Sequence, residues 1–216
     1  MDMMQIFDLG KIPIQEMLER NEMEQADVTA VVKEIIQKVR AEGDAALYFY
    51  NEKFDHVVLE NLLVSETEIQ EALVQTDNYF LETLRQAAEN IASYHKRQLR
   101  EGYIINEKNG VILGQKMTPI AKVGLYVPGG TAAYPSSVLM NAVPAKLAGV
   151  EELVMVTPPG KDGKIPSVIL AAAYIAGVSK IVKCGGAQAI AALAYGTESV
   201  PKVDKIVGPG NLFVAT

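Results

Sequence analysis

The second part of the chain alternates short apolar runs with longer segments rich in small residues. Four runs have the length and composition of buried strands, VGLYV, LVMV, KIVK and DKIV, and they begin at Val123, Leu153, Lys180 and Asp204. Each of the three intervening segments is long enough for one alanine-rich helix. Strands joined by single helices pair in parallel through right-handed crossovers. The pattern therefore predicts an α/β fold, a Rossmann-like three-layer α/β/α unit with a parallel sheet, over residues 119–216.

The first part, residues 1–118, has a helical pattern instead. Apolar residues recur at helical spacing in ADVTAVVKEIIQKVRAEGD, residues 26–44, and in NYFLETLRQAAENIASYHKRQL, residues 78–99. Both segments are predicted to be amphipathic helices. The acidic residues of this part are interpreted as solvated helix faces.

Two β elements are expected to accompany these helices. A short strand is predicted at VVLENLLV, residues 57–64, and a β-hairpin between residues 103 and 127. Asn109-Gly110 supplies the positive φ angles that the hairpin turn needs. The α/β unit is thus preceded by a mainly helical region with a β-hairpin.

Charge divides the chain at the same place. Residues 119–216 carry eight lysines against five acidic residues and have neither arginine nor histidine, whereas residues 1–118 carry 12 basic and 21 acidic residues. The net charge of −6 argues against nucleic acid or an anionic membrane as partner. An anion bound by the second part must rely on backbone N–H groups and lysines.

Metal ligands and targeting signals are not evident in the sequence. Cys184, His56 and His95 have no metal-ligand spacing, and both histidines are interpreted as surface or partly packed residues, so we expect no metal site and no catalytic residue in this chain. The longest uncharged apolar run, residues 168–178, is shorter than the roughly 20 residues that span a bilayer. The first residues lack the pattern of a signal peptide, and we expect no membrane association and a cytoplasmic protein.

Three of the four predicted strands end in glycine-rich loops. In open parallel sheets, ligands bind beyond the carboxyl ends of the strands, so the three loops are expected at one edge. Glycine lets a phosphate approach the backbone, and the following helix presents free N–H groups, which suits a pyrophosphate. Tyr126, Gln188 and Asn211 are the loop residues with donors and acceptors, and we expect them to line one crevice.

Other interpretations of these loops remain open. Each glycine pair taken alone is a common tight turn, the fingerprint G-x-G-x-x-G is absent, and Glu151-Glu152 precedes its strand, so a conventional ribose-binding acid is missing. Cys184 could be a nucleophile, but no histidine of this part can serve as its base, and a small buried apolar role is favoured. TPPGKDGKIP, residues 157–166, lacks the P-loop spacing and is interpreted as a surface loop.

Four segments together resemble one protein family. KVGLYVPGG, GGAQAIAALAYGTESVPKVDKI and GPGN occur in this order and with the separations seen in histidinol dehydrogenases, and upstream VRAEGDAALYFYNEKFD is similar to that family's helical region. The resemblance implies an aldehyde-dehydrogenase-like variant of the α/β fold. It also implies that Tyr126, Gln188 and Asn211 contact NAD.

The resemblance implies the chemistry of a whole enzyme as well. Histidinol dehydrogenases oxidise L-histidinol through histidinal to L-histidine in histidine biosynthesis, with NAD and zinc, as homodimers. Their zinc ligands, their Glu-His acid/base pair and most substrate contacts follow the GPGN segment. This chain is therefore expected to be the N-terminal half, cut just inside the helix that Asn211 begins, and to be inactive alone.

A division of labour follows from this resemblance. Residues 1–118 are expected to belong to the substrate or catalytic domain, and residues 119–216 to form the NAD-binding domain. The lack of arginine in the second part favours NAD over its 2′-phosphorylated form. Two alternatives remain: a stand-alone nucleotide-binding or regulatory module without catalysis, and a purely structural interaction domain in which the glycines serve as turns.

Overall fold

Helices and strands follow one another much as the sequence pattern predicts. The structure, a computed structural model, describes residues 13–14, 25–129 and 133–216. The helices of the described ranges are α1 (Gln25–Glu42), α2 (Asp44–Tyr50), α3 (Glu66–Gln75), α4 (Asn78–His95), α5 (Pro135–Leu147), α6 (Ser167–Ile175), α7 (Gly186–Tyr195) and α8 (Leu212–Ala215). The strands are β1 (Tyr103–Asn106), β2 (Ile112–Gln115), β3 (Lys122–Tyr126), β4 (Glu152–Thr157), β5 (Lys180–Lys183) and β6 (Lys205–Val207).

A four-stranded parallel sheet forms the centre of the molecule. Its strand order is β5-β4-β3-β6, and β3 is paired with β4 from Lys122 opposite Glu152 to Tyr126 opposite Val156. The strands consist mainly of valine, isoleucine and leucine because both faces are covered by helices. The predicted α/β fold with a parallel sheet is confirmed.

The two faces of this sheet bury different sets of helices. Along β4, Leu153 and Met155 point to one face and Val154 and Val156 to the other, as the period of two requires. We call the first of these surfaces face A, which packs against α3, α4, α5 and α6, and the second face B, which packs against α1, α2 and α7. Helices from the first part of the chain thus complete the core on both faces.

The predicted β-hairpin is present and lies outside the sheet. Strands β1 and β2 pair antiparallel, and Gly110 adopts a φ of +83° in the connecting turn. The prediction of a positive φ at Asn109 is wrong: the N–H of Gly110 donates to the carbonyl of Glu107, so Asn109 is a central turn residue with negative φ and Gly110 follows it. Side chains on both strands are exposed, including Ile104 at 76% and Ile112 at 71%. The Asn-Gly turn fixes the hairpin locally, so it forms without burying its apolar side chains.

The strand predicted over residues 57–64 is wrong in extent. The chain bends at Glu60 and Leu62, and only Leu63 pairs, through an isolated antiparallel bridge to Val182 of β5. The N–H of Val64 donates to the carbonyl of Ile181 at 2.9 Å. Leu62 and Val57 are buried in the interior although the backbone between them is irregular.

Within the ranges that the structure describes, no helix combines the length and the apolar character needed to cross a membrane.

Candidate functional site

A cavity of about 1130 Å³ lies at the carboxyl edge of the parallel sheet. Its lining includes the ends of β3 and β4, the first residues of α7, part of α1 and the loop before α8. Tyr126, Gln188 and Asn211 all line it. The structure therefore brings the three residues singled out by sequence into one crevice.

Tyr126 stands at the end of β3 and is almost completely buried. Its hydroxyl oxygen accepts a hydrogen bond from the backbone N–H of Gly186, at 3.2 Å, so the side chain spans from β3 to the start of α7. Burial raises the pKa of the Tyr126 hydroxyl. The group stays protonated at neutral pH and keeps its hydrogen for donation to a ligand.

Gln188 and Asn211 present amide groups to the same space. Gln188 is only 1% exposed, and its Oε1 atom has no hydrogen-bond partner among the described residues. Asn211 begins α8 as its N-cap, where its Oδ1 accepts from the N–H of Val214 at 3.2 Å. A buried amide oxygen without a donor costs free energy, so Gln188 Oε1 is a candidate acceptor for a group that enters the cavity.

Two of the loop glycines serve packing as well as access. A Cβ atom at Gly129 would lie 2.4 Å from Cγ of Pro158, and one at Gly185 would lie 2.7 Å from Cβ of Pro158. The loops after β3, β4 and β5 therefore pack on each other through this proline. Gly130, the second glycine after β3, lies outside the described residues.

The interpretation of residues 157–166 as a surface loop needs correction. Pro158, Pro159, Gly160 and Lys161 line the cavity. Among the described lining residues, Lys161 carries the only positive charge, apart from the positive end of the α7 dipole. Residues 157–166 do not have the spacing of a P-loop motif. Their position directly after β4, at the carboxyl edge of the sheet, was the signal that could have identified Lys161.

The residue that sequence reasoning missed most clearly is Asp55. Helix α2 continues into a π-helical turn, Asn51–Asp55, which places Asp55 in the cavity wall. Asn51 is fully buried and holds this turn to the sheet, because its Nδ2 donates to the carbonyl of Lys183 at 2.8 Å. Burial raises the pKa of Asp55, against the opposite effect of His56. Asp55 is the last residue of VRAEGDAALYFYNEKFD, and the resemblance of this stretch to the family was the sequence signal that could have drawn attention to it.

Two further acidic residues of the first part are not solvated helix faces. Asp44 accepts hydrogen bonds from Thr197 Oγ1 at 2.6 Å, from Ser199 N at 3.2 Å and from Ser199 Oγ. Glu68 forms an ion pair with Lys183 at the end of β5. Burial acts to raise the pKa of Glu68, but hydrogen bonds from Lys183 and Ser65 lower it overall. These contacts tie helices of the first part to the second.

The cysteine and the histidines have the structural roles expected of them. Cys184 is completely buried, and burial raises the pKa of its thiol, so it behaves as a small apolar residue. His56 is exposed, and His95 is half-buried with its Nδ1 2.7 Å from Oε1 of Gln98. In the ranges that the structure describes, no three His, Cys, Asp or Glu side chains are grouped as metal ligands.

Comparisons with known proteins agree with this architecture. The family model for histidinol dehydrogenase matches residues 18–216. The histidinol dehydrogenase of Streptococcus mutans is 57% identical over 208 residues, which is 96% of this chain and 48% of that protein. The histidinol dehydrogenase of Geobacillus kaustophilus is 59% identical over 184 residues, 85% of this chain and 43% of that protein.

A solved structure matches as well. The crystal structure of histidinol dehydrogenase from Elizabethkingia anophelis superposes with a TM-score of 0.86 at 36% identity, covering 93% of this chain and 46% of that one. The chain thus spans about half the length of the curated relatives it matches. The matched family model covers nearly all of the sequence, and the chain belongs to the histidinol dehydrogenase family of oxidoreductases.

Proposed function

We propose that this chain is the cofactor-binding part of a histidinol dehydrogenase that oxidises L-histidinol through histidinal to L-histidine with NAD. The observation that carries the proposal is the convergence of Tyr126, Gln188 and Asn211 in one large cavity at the carboxyl edge of a parallel sheet. NAD, when bound, accepts the electrons of two successive oxidations. The family membership of the chain and the chemistry of this cavity point to the same ligand.

The residues of the cavity fit a dinucleotide. The first N–H groups of α7 and the ammonium of Lys161 suit a pyrophosphate in a part of the chain without arginine. The Tyr126 hydroxyl can donate a hydrogen bond and the Gln188 amide oxygen can accept one, so the cavity offers partners to both the acceptors and the donors of a nucleotide. In this proposal these groups bind and orient the cofactor and take no part in proton transfer.

Zinc and the acid/base residues lie outside this chain in our proposal. The described residues offer no group of metal ligands, and no histidine lines the cavity. The zinc dependence, the substrate contacts and the homodimer implied by the resemblance are therefore assigned to the full-length enzyme. A cytoplasmic location and the division into residues 1–118 and 119–216 likewise remain predictions.

A stand-alone nucleotide-binding or regulatory module is less well supported. The relatives that match this chain are named histidinol dehydrogenases, and each continues well beyond the matched length.

The activity is tested by complementation. We expect no oxidation of histidinol by the 216-residue chain with NAD and zinc, because the alcohol cannot be held against the cofactor with a base in reach. Co-expression with the remaining half of the family's length is expected to restore turnover. If the chain alone turns over at a rate near that of the complemented protein, the catalytic residues lie within it and the assignment is wrong.

Cofactor binding is tested by substitution within the complemented enzyme. Gln188→Ala is expected to weaken NAD binding by about tenfold, the loss of roughly one hydrogen bond to a buried amide. Gln86→Ala, an exposed position on α4, is the matched control and should leave the dissociation constant unchanged. Equal affinities for all three proteins, measured by calorimetry, would remove Gln188 from the site.

A further inference from the structure

Two residues that line the cavity each have a buried oxygen atom with no hydrogen-bond donor among the described residues. The atoms are Oδ2 of Asp55 and Oε1 of Gln188, and both residues line the same space. Gln188 belongs to α7, whereas Asp55 comes from the π-helical turn of the first part of the chain. Since buried polar atoms are nearly always paired, a ligand that supplies hydrogen-bond donors would satisfy both acceptors.

The position of Asp55 is held by other parts of the molecule. Asn51 ties the first residue of the π-helical turn to the carbonyl of Lys183, and Asp44 ties the start of α2 to the loop around Ser199. Tyr50 stacks on Phe54 with ring centroids 5.4 Å apart. An unpaired carboxylate is thus kept in the cavity wall by a braced turn, although burial raises its pKa and so opposes its charge.

We propose that Asp55 accepts a hydrogen bond from a ribose hydroxyl of the dinucleotide, so that the helical part of the chain completes the cofactor site. This inference rests on the proposed function. It assigns to Asp55 the task that an acid at the end of the second strand performs in conventional dinucleotide-binding sheets. The sequence offers no such acid there, because Glu151 precedes β4 and Glu152 is its first residue, where it pairs with Lys122 and Lys180.

The chemistry of the ligand favours ribose. Phosphate oxygens only accept hydrogen bonds and would repel the carboxylate, so Asp55 must face a part of the cofactor away from the pyrophosphate. Ribose hydroxyls are the donors that carboxylates bind in dinucleotide sites. Lys161 and the N-terminal end of α7 remain for the phosphates. The acceptor and the cationic groups of the cavity therefore recognise different parts of one molecule.

The test combines substitutions of Asp55 with NAD analogues that lack one ribose hydroxyl each. Asp55→Ala and Asp55→Asn are made in a full-length histidinol dehydrogenase that contains this chain, with Glu52→Gln as the control. Glu52 lies in the same π-helical turn, is exposed and does not line the cavity. Dissociation constants are measured by calorimetry for NAD and for NAD analogues in which one ribose hydroxyl at a time, on the adenosine or the nicotinamide side, is replaced by hydrogen.

We expect Asp55→Ala to weaken NAD binding by about tenfold and Glu52→Gln to leave the dissociation constant unchanged. For one analogue, wild type and Asp55→Ala should have equal affinity, because that analogue lacks the hydroxyl that Asp55 binds. The position of the replaced hydroxyl then identifies the ribose that Asp55 contacts. If Asp55→Ala weakens every analogue by the same factor, or weakens none, the assignment of Asp55 is wrong while the cofactor site stands. If wild type binds no NAD, both the proposed function and this inference fail.

A folding defect is excluded by a separate measurement. Asp55→Asn keeps the size of the side chain and removes a buried charge, so its melting temperature is expected to be at least that of wild type. A variant that is as stable as wild type and binds NAD less tightly has lost a contact with the ligand. A weaker affinity that merely follows a lower melting temperature would overturn the assignment.

Discussion

The two faces of the parallel sheet are held to their helices in different ways. On face A the contact of α5 and α6 with the sheet consists of aliphatic side chains such as Leu153, Met155 and Ile169. One polar contact is added there, the ion pair of Glu68 on α3 with Lys183 of β5. On face B a similar apolar cluster is supplemented by hydrogen bonds at both ends of α2. Asn51 connects the end of α2 to the last residue of β5 at the carboxyl edge, and Asp44 connects its start to the loop between α7 and β6 at the opposite edge. The cavity opens at the carboxyl edge, beside the π-helical turn that Asn51 begins.

The difference shows what each kind of contact can specify. Apolar burial is proportional to area and is not directional, so it stabilises a helix on a sheet without fixing its position along the strand. A buried hydrogen bond has a preferred length and angle and is costly to break. Face B therefore fixes the height of the π-helical turn relative to the strand ends, which is the dimension that a ligand site needs.

The largest expected effect concerns face A. Leu153→Ala should lower the free energy of unfolding by about 3 kcal/mol, because Leu153 is completely buried and the substitution leaves a cavity. NAD affinity of the folded protein should not change. Met155→Leu, a change of similar volume on the same face, is the control and should cost less than about 1.5 kcal/mol. Denaturant unfolding and calorimetry check both, and a loss of affinity in Leu153→Ala would contradict the separation of the two faces.

A smaller loss of stability with a larger functional consequence is expected at face B. Asp44→Ala should cost about 2 kcal/mol, since it leaves Thr197 and Ser199 with unpaired donors. NAD affinity should fall as well, because the turn that carries Asp55 loses one of its supports. Glu101→Ala, an exposed acidic residue in the loop before β1, is the matched control. Unchanged affinity in a folded Asp44→Ala protein would show that the hydrogen bonds stabilise face B without positioning the site.

Asp55→Asn is expected to stabilise the protein by about 1 kcal/mol at pH 7, because it removes a partly buried charge with an unpaired oxygen. The raised pKa of Asp55 gives the sign: the folded state binds the proton more tightly, so wild-type stability falls as pH rises from the unfolded value through the folded value. The advantage of the variant should therefore vanish below about pH 4, near the ordinary aspartate pKa. Unfolding curves of both proteins at pH 3.5 and pH 7 measure this difference in stability. An equal difference at the two pH values would show that it does not come from the charge of Asp55.

The smallest effect is expected for a charged pair on the outer surface of α1. Lys38 Nζ lies 2.7 Å from Oε1 of Glu42, and both side chains are substantially exposed. Glu42→Gln should cost only about 0.3 kcal/mol, since solvent screens the pair. Thermal unfolding at low and high salt checks this value. A cost like that of Asp44→Ala would mean that an exposed charged pair stabilises face B as much as the hydrogen bonds of Asp44 do.

The sheet and the hairpin could be predicted because their signals are local. The apolar runs at β3, β4 and β5 have strand length, and the segments between them have helix length. Asn109-Gly110 fixes the hairpin turn without help from the rest of the fold. The gathering of Tyr126, Gln188 and Asn211 followed from topology alone, because parallel strands present their carboxyl ends at one edge.

The features that sequence did not reveal depend on contacts between distant segments. The π-helical turn exists because Asn51 reaches a carbonyl 132 residues away, and no periodic pattern encodes such a bond. Asp44 and Glu68 have the same spacing as solvated acids on a helix, and only their docking onto the second part distinguishes them. Asp55 was missed for the same reason, since burial of one carboxylate is set by tertiary packing.

The short bridge between Leu63 and β5 has a consequence for solubility. β5 is the outermost strand of the sheet, and its outward backbone groups would otherwise be available to a strand of another molecule. The carbonyl of Leu62 and the N–H of Val64 occupy the outward groups of Lys183 and Ile181. The irregular segment at residues 62–64 thus prevents a strand of another molecule from pairing with β5. It does so without adding a further edge strand that would itself need protection.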